Sequence, residues 1–311
     1  MPPIITTKNL TKTYKVSKKD PGLKGSIKSL FNRQYKTVEA VKDINLTINQ
    51  GELVGFIGPN GAGKTTTLKM LSGLLYPTSG STTVLGHTPW TRKKAFLQQF
   101  SLVMGQKAQL WWDLPLYDSL LLQRDIYEVP DKDFQVSLAE LTDLLDLKDI
   151  IKVQVRRLSL GQRMKGELAS ALIYKPKVLF LDEPTIGLDV VVQQKIRDFL
   201  KDYQAKNNAT IILTSHYLDD VRQLAKRVII IDHGAIAFDG LTQDLIDKYA
   251  DHKKIILTLK DGQTKTFTVH REQTSKRAAE LLNQYPAEDI SIEEPSLENV
   301  IRELFSSQDY A

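Results

Sequence analysis

The apolar positions along the chain change their period several times, and each change predicts an element. Ile44 to Ile48 alternates apolar with polar residues, the pattern of a half-buried strand. Leu53-Val54-Gly55-Phe56-Ile57 is nearly continuous and stops at a glycine-rich loop, which predicts a strand covered on both faces. Thr67, Leu68, Met70, Leu71, Leu74 and Leu75 then recur at helical spacing. Residues 116–157 read as mostly helical, with Leu138, Leu141, Leu144 and Leu145 as an apolar stripe. Short apolar runs return at Val178–Leu181, Thr210–Leu213 and Val228–Ile231, with helical stretches near 190–206 and 217–225 between them. Strands alternating with helices predict an α/β fold around a parallel sheet.

Near residue 250 the pattern changes. Ile255–Leu259 and Thr266–Val269 flank Asp261-Gly262 and read as a hairpin. A helix over Ser275–Gln284, a short strand over Asp289–Ile292 and a last helix over Leu297–Phe305 follow. The expected organisation is a first domain over 1–245 and a small α/β accessory domain over 250–311.

Composition narrows the chemistry. The 311 residues contain no cysteine, which excludes disulfide scaffolds, Cys-ligated zinc, iron–sulfur clusters and cysteine nucleophiles. No stretch approaches the ~18 uninterrupted apolar residues of a membrane-spanning helix. The N-terminus lacks the apolar core of a signal peptide, so a cytoplasmic protein is expected, peripheral to a membrane if a partner holds it there. The net charge of +5 resides wholly in residues 17–36, where Lys18, Lys19, Lys24, Lys28, Arg33 and Lys36 face Asp20 alone. A nucleic-acid binder spreads its basic residues over the fold, so no nucleic-acid partner is expected.

The glycine-rich loop Gly58-Pro59-Asn60-Gly61-Ala62-Gly63-Lys64-Thr65 fits G-x-x-x-x-G-K-[ST], with Thr66 following. Its glycines let backbone N–H groups wrap a phosphate chain, and the helix that starts there adds its positive end. Lys64 can reach the β- and γ-phosphates and the Thr65 hydroxyl can ligate Mg²⁺. Val178–Leu181 ends in Asp182 and Glu183, one acid placed for Mg²⁺ and the next for an attacking water. Leu158-Ser159-Leu160-Gly161-Gln162 opens another helical stretch, Gln162 to Ile173, and so forms a second N–H-rich anion site. Two phosphate-binding helix ends in one chain suggest that the second serves a nucleotide held by another protomer.

These motifs stand in an order that resembles the nucleotide-binding subunit of an ATP-binding cassette (ABC) transporter, over about residues 4–240. GPNGAGKT is similar to its Walker A loop, Gln106 in LVMGQK to its Q-loop, LSLGQ to its signature and LFLDEP to its Walker B strand. Gly187-Leu188-Asp189 is similar to its D-loop, and His216 in LTSHYLDD to its H-loop. The resemblance implies a P-loop NTPase core with an antiparallel β subdomain and a helical subdomain at about 107–170. It implies binding of ATP with Mg²⁺, Thr65, Gln106 and Asp182 lying at the metal. Lys64 and the loop amides would hold the phosphates, Tyr14 would stack on adenine, Glu183 would be the general base and His216 would contact the γ-phosphate. Ser159, Gly161 and Gln162 would cap the γ-phosphate of a partner subunit's ATP, with Asp189 at that interface. The implied partners are a second ATPase subunit and integral-membrane permease chains, and the implied process is export of a drug-like, antibiotic or lipidic cargo. A soluble cassette ATPase of translation or repair is the rival, disfavoured by a single cassette and by the lack of heptads.

Two features depart from that family's common pattern. Leu160 occupies a signature position where glycine is usual. The basic segment 17–36 separates Tyr14 from the strand near Ile44 and leaves Tyr35 as an alternative adenine partner. Within it Ile27, Leu30, Phe31 and Tyr35 share one helical face, so the segment reads either as a basic amphipathic helix at an anionic membrane or as a solvated loop. Of the adjacent Trp111 and Trp112, one is expected in the core and the other at the groove that receives the permease. His87, His233, His252 and His270 lack metal-ligand spacing.

Overall fold

The computed structural model describes residues 2–18, 34–105, 107–215, 218–249 and 252–293. The chain divides into two compact units, Met1–Asp239 and Gly240–Ala311.

The first unit is built on a six-stranded sheet in the order β5-β6-β7-β3-β8-β9. These are β5 (Phe100–Met104), β6 (Val178–Asp182), β7 (Thr210–Thr214), β3 (Leu53–Ile57), β8 (Arg227–Asp232) and β9 (Ala235–Leu241). From β5 to β8 every neighbouring pair is parallel. The reason for the unbroken apolar runs is visible in β6. Leu179 and Leu181 belong to one core cluster, Val178 and Phe180 to another on the opposite face, and all four are 0% exposed. A strand covered on both sides has no position left for a polar residue until its tip, Asp182.

One face is covered by α1 (Lys64–Leu71) and by a second sheet in the order β2-β1-β4, formed by β1 (Pro3–Lys18), β2 (Gln34–Asn49) and β4 (Ser79–Val84). Both of its pairings are antiparallel. A short helix, α2 (Lys94–Leu97), precedes β5. The other face is covered by α3 (Leu116–Tyr127), α4 (Asp131–Leu144), α5 (Leu160–Leu172) and α6 (Val190–Asn207), with Leu224 of α7 (Leu218–Leu224).

Three local expectations are corrected. The helix after the glycine loop ends at Leu71, not Leu75. Gly73 adopts φ 71°, and a Cβ there would lie 2.3 Å from the Pro89 carbonyl oxygen, so the chain must turn away and Leu74 is left exposed. Tyr35 belongs to no helical face: it stands in β2, in register with Ser17 of β1. The β-branched pair Thr37-Val38 suits the strand, and the hairpin takes up both ends of the basic segment; residues 19–33 lie outside the described residues. Trp111 and Trp112 are both half-exposed, at 57% and 50%, in a turn that the Leu114 N–H closes on the Trp111 carbonyl, so neither lies in the core.

The second unit contains α8 (Thr242–Tyr249), the sheet β11-β10-β12 and α9 (Thr274–Gln284). Its strands are β10 (His252–Leu259), β11 (Thr264–His270) and β12 (Ala287–Glu293), all antiparallel, with Asp261-Gly262 in the hairpin turn. Ile255, Leu257 and Leu259 alternate inward against Ala278 and Leu281 of α9. The expected helix over Leu297–Phe305 falls outside the described residues. Among the described residues no helix is long and apolar enough to cross a membrane.

Candidate nucleotide site

The glycine loop joins the tip of β3 to α1. Gly63 caps α1 with φ 110°, and a Cβ there would lie 2.4 Å from the Ala40 carbonyl oxygen of β2, so only glycine fits. The Gly234 N–H donates to the Ala62 carbonyl (3.0 Å) and the Lys42 N–H to the Gly234 carbonyl (2.7 Å), which pins the loop against β2 and the β8–β9 turn. Lys64, 5% exposed, curls over the loop and donates to the carbonyls of Gly58 (2.7 Å) and Pro59 (3.1 Å). Burial lowers its pKa below the ordinary lysine value, against the opposing pull of the Glu183 and Asp182 charges.

Asp182, at the tip of β6, is held on both oxygens. Thr65 Oγ1 donates to Oδ2 (2.8 Å) and Thr214 Oγ1, from the adjacent strand β7, to Oδ1 (2.7 Å). Parallel register explains the second contact, since Asp182 pairs with Thr214. The Glu183 N–H donates to the Thr214 carbonyl and hydroxyl, 3.1 Å each, and Glu183 takes φ 57°, a left-handed conformation held by those bonds. On the other side Met104 pairs with Asp182, and the Gly105 N–H donates to the Asp182 carbonyl (2.8 Å). A Cβ at Gly105 would lie 2.1 Å from the Glu183 carbonyl oxygen. Lys64, Thr65, Asp182 and Glu183 thus form one constellation. Gln106 and His216 follow Gly105 and Ser215 directly in the chain but lie outside the described residues.

Ser159, Gly161, Gln162 and Asp189 form a second constellation. Helix α5 begins at Leu160, two residues earlier than its apolar spacing indicates, because Ser159 and Gln162 make a reciprocal capping box. The Gln162 N–H donates to Ser159 Oγ (3.2 Å) and the Ser159 N–H to Gln162 Oε1 (3.0 Å). Asp189 caps α6 by accepting the Val192 N–H (3.0 Å). A Cβ at Gly161 would stand 3.2 Å from Val192, and one at Gly187 3.3 Å from Leu160, so the two loops pack together within one chain. Leu160, Val190 and Val191 remain exposed.

Tyr14 pairs with Val38, two residues before Ala40, which stands at a bulge between the pairs Thr13–Glu39 and Lys12–Val41. Ala40 is the residue whose carbonyl meets Gly63, so this stretch of the hairpin abuts the glycine loop. Strand alternation puts Tyr35 on the opposite face from Tyr14.

Two further residues escaped the sequence reading. Glu167 of α5 is 5% exposed and accepts the backbone N–H groups of Gln109 (2.9 Å) and Leu110 (3.3 Å), tying the segment after Gln106 to the helix that Ser159 caps. Burial raises its pKa above the ordinary carboxylate value, and those two N–H bonds oppose the shift. The other is Asp220, fully buried on α7. Glu167 stands in no motif and Asp220 closes the stretch LTSHYLDD; both are acids on the buried side of a helix, which is the available signal.

Comparison with known proteins agrees with this geometry. The family described as ABC transporter matches residues 41–186. The bacitracin transport ATP-binding protein BcrA of Bacillus licheniformis is 33% identical over 68% of this chain and 69% of its own length. ABC transporter A family member 1 of Dictyostelium discoideum is 32% identical over 82% of this chain, which spans only 29% of that longer protein. A solved ATP-binding subunit of an ABC transporter superposes with TM-score 0.66 at 22% identity, over 79% of this chain and 93% of that one, and so shares the fold. The chain therefore belongs to the ABC transporter family, as an ATP-binding subunit with that family's ATPase activity.

Proposed function

We propose that the chain drives an exporter whose permease is a separate membrane protein, and that its cargo is drug-like, antibiotic or lipidic. It works as a pair of subunits at the cytoplasmic side of the membrane. The observation that carries the proposal is the tip of β6. There Asp182 is fixed on both oxygens beside the phosphate loop, and Glu183 follows with its backbone held by Thr214. The relative BcrA is a bacitracin transport ATP-binding protein, which supports an antibiotic-like cargo.

The phosphates of ATP enter the loop Gly58–Thr66 and take over the Lys64 ammonium from the carbonyls of Gly58 and Pro59. Tyr14, rather than Tyr35, stacks on adenine, because its partner Val38 is two residues from Ala40 beside Gly63, whereas Tyr35 is five residues away on the opposite face from Tyr14. Thr65 and Asp182 offer a hydroxyl and one carboxylate already in contact, a hard-oxygen set that fits Mg²⁺ sharing phosphate oxygens and water, with Gln106 as a further ligand. When bound, Mg²⁺ neutralises charge on the phosphates. Glu183 accepts a proton from water as its oxygen bonds to the γ-phosphorus, and the bond to the bridging oxygen breaks to leave ADP and phosphate. His216 orients that water. Ser159, Gly161 and Gln162 of one subunit close on the γ-phosphate bound by the other, with Asp189 beside it. That closure is the two-state element that moves the permease.

A groove of about 560 Å³ lined by Phe100, Met104, Lys107, Gln109, Tyr127 and Tyr174 lies beside this machinery and is the seat we assign to a permease segment. The test is reconstitution of the chain with its permease in vesicles. Candidate cargo is expected to stimulate ATP hydrolysis and to move away from the ATPase side. ATP hydrolysis indifferent to permease and cargo would contradict the reading.

A further inference from the structure

Helix α7 carries Asp220, an acid 0% exposed. A carboxylate removed from water is tolerated only when its lone pairs are used, and here both oxygens are. Oδ1 accepts Arg197 Nη1 of α6 at 2.5 Å. Oδ2 accepts two hydroxyls, Thr185 Oγ1 at 2.5 Å and Ser215 Oγ at 2.7 Å. Arg197, Thr185 and Ser215 are themselves 4%, 2% and 3% exposed. Arg197 also donates through Nε and Nη2 to Gln194 Oε1, at 3.3 and 3.2 Å. Gln193, one residue earlier, donates to the carbonyls of Leu188 (3.1 Å) and Thr185 (3.4 Å).

The positions of the two hydroxyls give the cluster its meaning. Thr185 lies in the turn after β6, two residues beyond Glu183, and the Ile186 N–H of that turn donates back to the Glu183 carbonyl (3.3 Å). Ser215 follows β7 and directly precedes His216 in the chain. Thr214, just before it, holds both the Glu183 N–H and Asp182. One carboxylate oxygen therefore gathers the loop that carries the proposed base and the loop that carries the proposed water-orienting histidine.

A buried ion pair adds little stability over well-packed apolar residues. What it supplies is direction, since hydrogen bonds hold loops in one orientation where apolar packing tolerates several. We propose that Asp220 is a positioning residue for hydrolysis: through Thr185 and Ser215 it fixes the turn that follows Glu183 against the end of β7, with Arg197 anchoring it from α6. This rests on Glu183 acting on water.

The test leaves the ion pair intact. Thr185→Val and Ser215→Ala each delete one hydroxyl, and Thr185→Ser keeps it. In the full-length subunit both deletions are expected to lower turnover by about 10-fold, less than the ~10²-fold that a displacement of 1 Å can cost. ATP affinity should stay within about two-fold, the split expected of a group that acts on the transition state alone. Thr185→Ser should restore turnover. In a Glu183→Gln background, single-turnover hydrolysis should show no further loss on adding Thr185→Val, because the group being positioned is gone. The proposal is overturned if both deletions keep turnover within about two-fold of the parent, if ATP affinity falls as much as turnover, or if the loss persists undiminished beside Glu183→Gln. Should one deletion fail to fold, the other decides. A failure of Glu183 itself shows separately, as near-normal turnover of the single Glu183→Gln variant.

Discussion

Replacing Glu167 with alanine tests how the segment after Gln106 is tied to the signature helix. The side chain accepts two backbone N–H groups, and the two ends differ. Leu110 is 6% exposed, so its N–H loses its acceptor without gaining water, while Gln109 is exposed and water replaces the carboxylate. One orphaned buried donor costs about 1–3 kcal/mol. Against this, alanine relieves the burial of a carboxylate that is already penalised, as the raised pKa records. The net loss is then about 1–2 kcal/mol, which in a unit of this size lowers the unfolding midpoint by roughly 2–8 °C. Glu167→Gln keeps an acceptor oxygen without charge and should fall by less than half as much. The pH dependence has a definite sign. Folding raises this pKa from about 4.5, so the folded chain binds more protons than the unfolded chain above that pH. The stability of the parent relative to Glu167→Gln should therefore fall as pH rises from about 4.5 and level off above the folded pKa. Denaturant unfolding of the parent and both variants between about pH 4 and 8 checks this, the window bracketing an ordinary carboxylate and a raised one. A parent that gains on Glu167→Gln as pH rises, or an alanine variant as stable as the parent, refutes the reasoning.

The remaining expectations are shorter. Gly63→Ala places a Cβ against the Ala40 carbonyl at a positive φ, and strain of about 1–3 kcal/mol should weaken ATP binding by at least ~10-fold in a titration. Mixing Lys64→Ala with Ser159→Arg subunits leaves one composite site doubly damaged and one intact, so ATPase activity should partly recover over either variant alone. No recovery in proven heterodimers, with a control showing that one intact site suffices, would reject the capping of one subunit's ATP by the other. Replacing Lys24, Lys28 and Arg33 together with glutamine should leave the ATPase of the isolated subunit unchanged and lower cargo transport in the complex. Each basic residue near an anionic surface is worth about 1 kcal/mol, and unchanged transport would make the segment a solvated insertion.

The grouping of Lys64, Thr65, Asp182 and Glu183 was legible because its pattern is local. The glycine spacing ending in Lys64 and Thr65, and the apolar run closing on Asp182 and Glu183, each lie on one strand and its turn. The start of α5 was read two residues late, at Gln162, because the apolar period alone overlooks the capping-box spacing of Ser159 and Gln162. The Asp220 cluster was not legible, because its members come from three segments, with Arg197 twenty-three positions away. Glu167 reads as an ordinary helical acid until the segment bearing Leu110 is laid over it. Tyr35 was misread because helical spacing to Ile27 and Phe31 says nothing of a partner strand, and the pairing with β1 overrode it. Neither Trp111 nor Trp112 reached the core, because the apolar pattern carries no signal for the turn that the Leu114 N–H closes on the Trp111 carbonyl.

The central claim is that Asp182 and Glu183 divide the work at the tip of β6, the first fixed beside the phosphate loop and the second acting on water. Glu183→Gln tests it most directly, because the amide keeps the size of the side chain and removes its basicity. ATP binding and ATP hydrolysis of the purified subunit are measured side by side. The account expects parental ATP affinity, turnover reduced by at least ~10²-fold, and an ATP-loaded dimer that accumulates. Turnover close to that of the parent would contradict it.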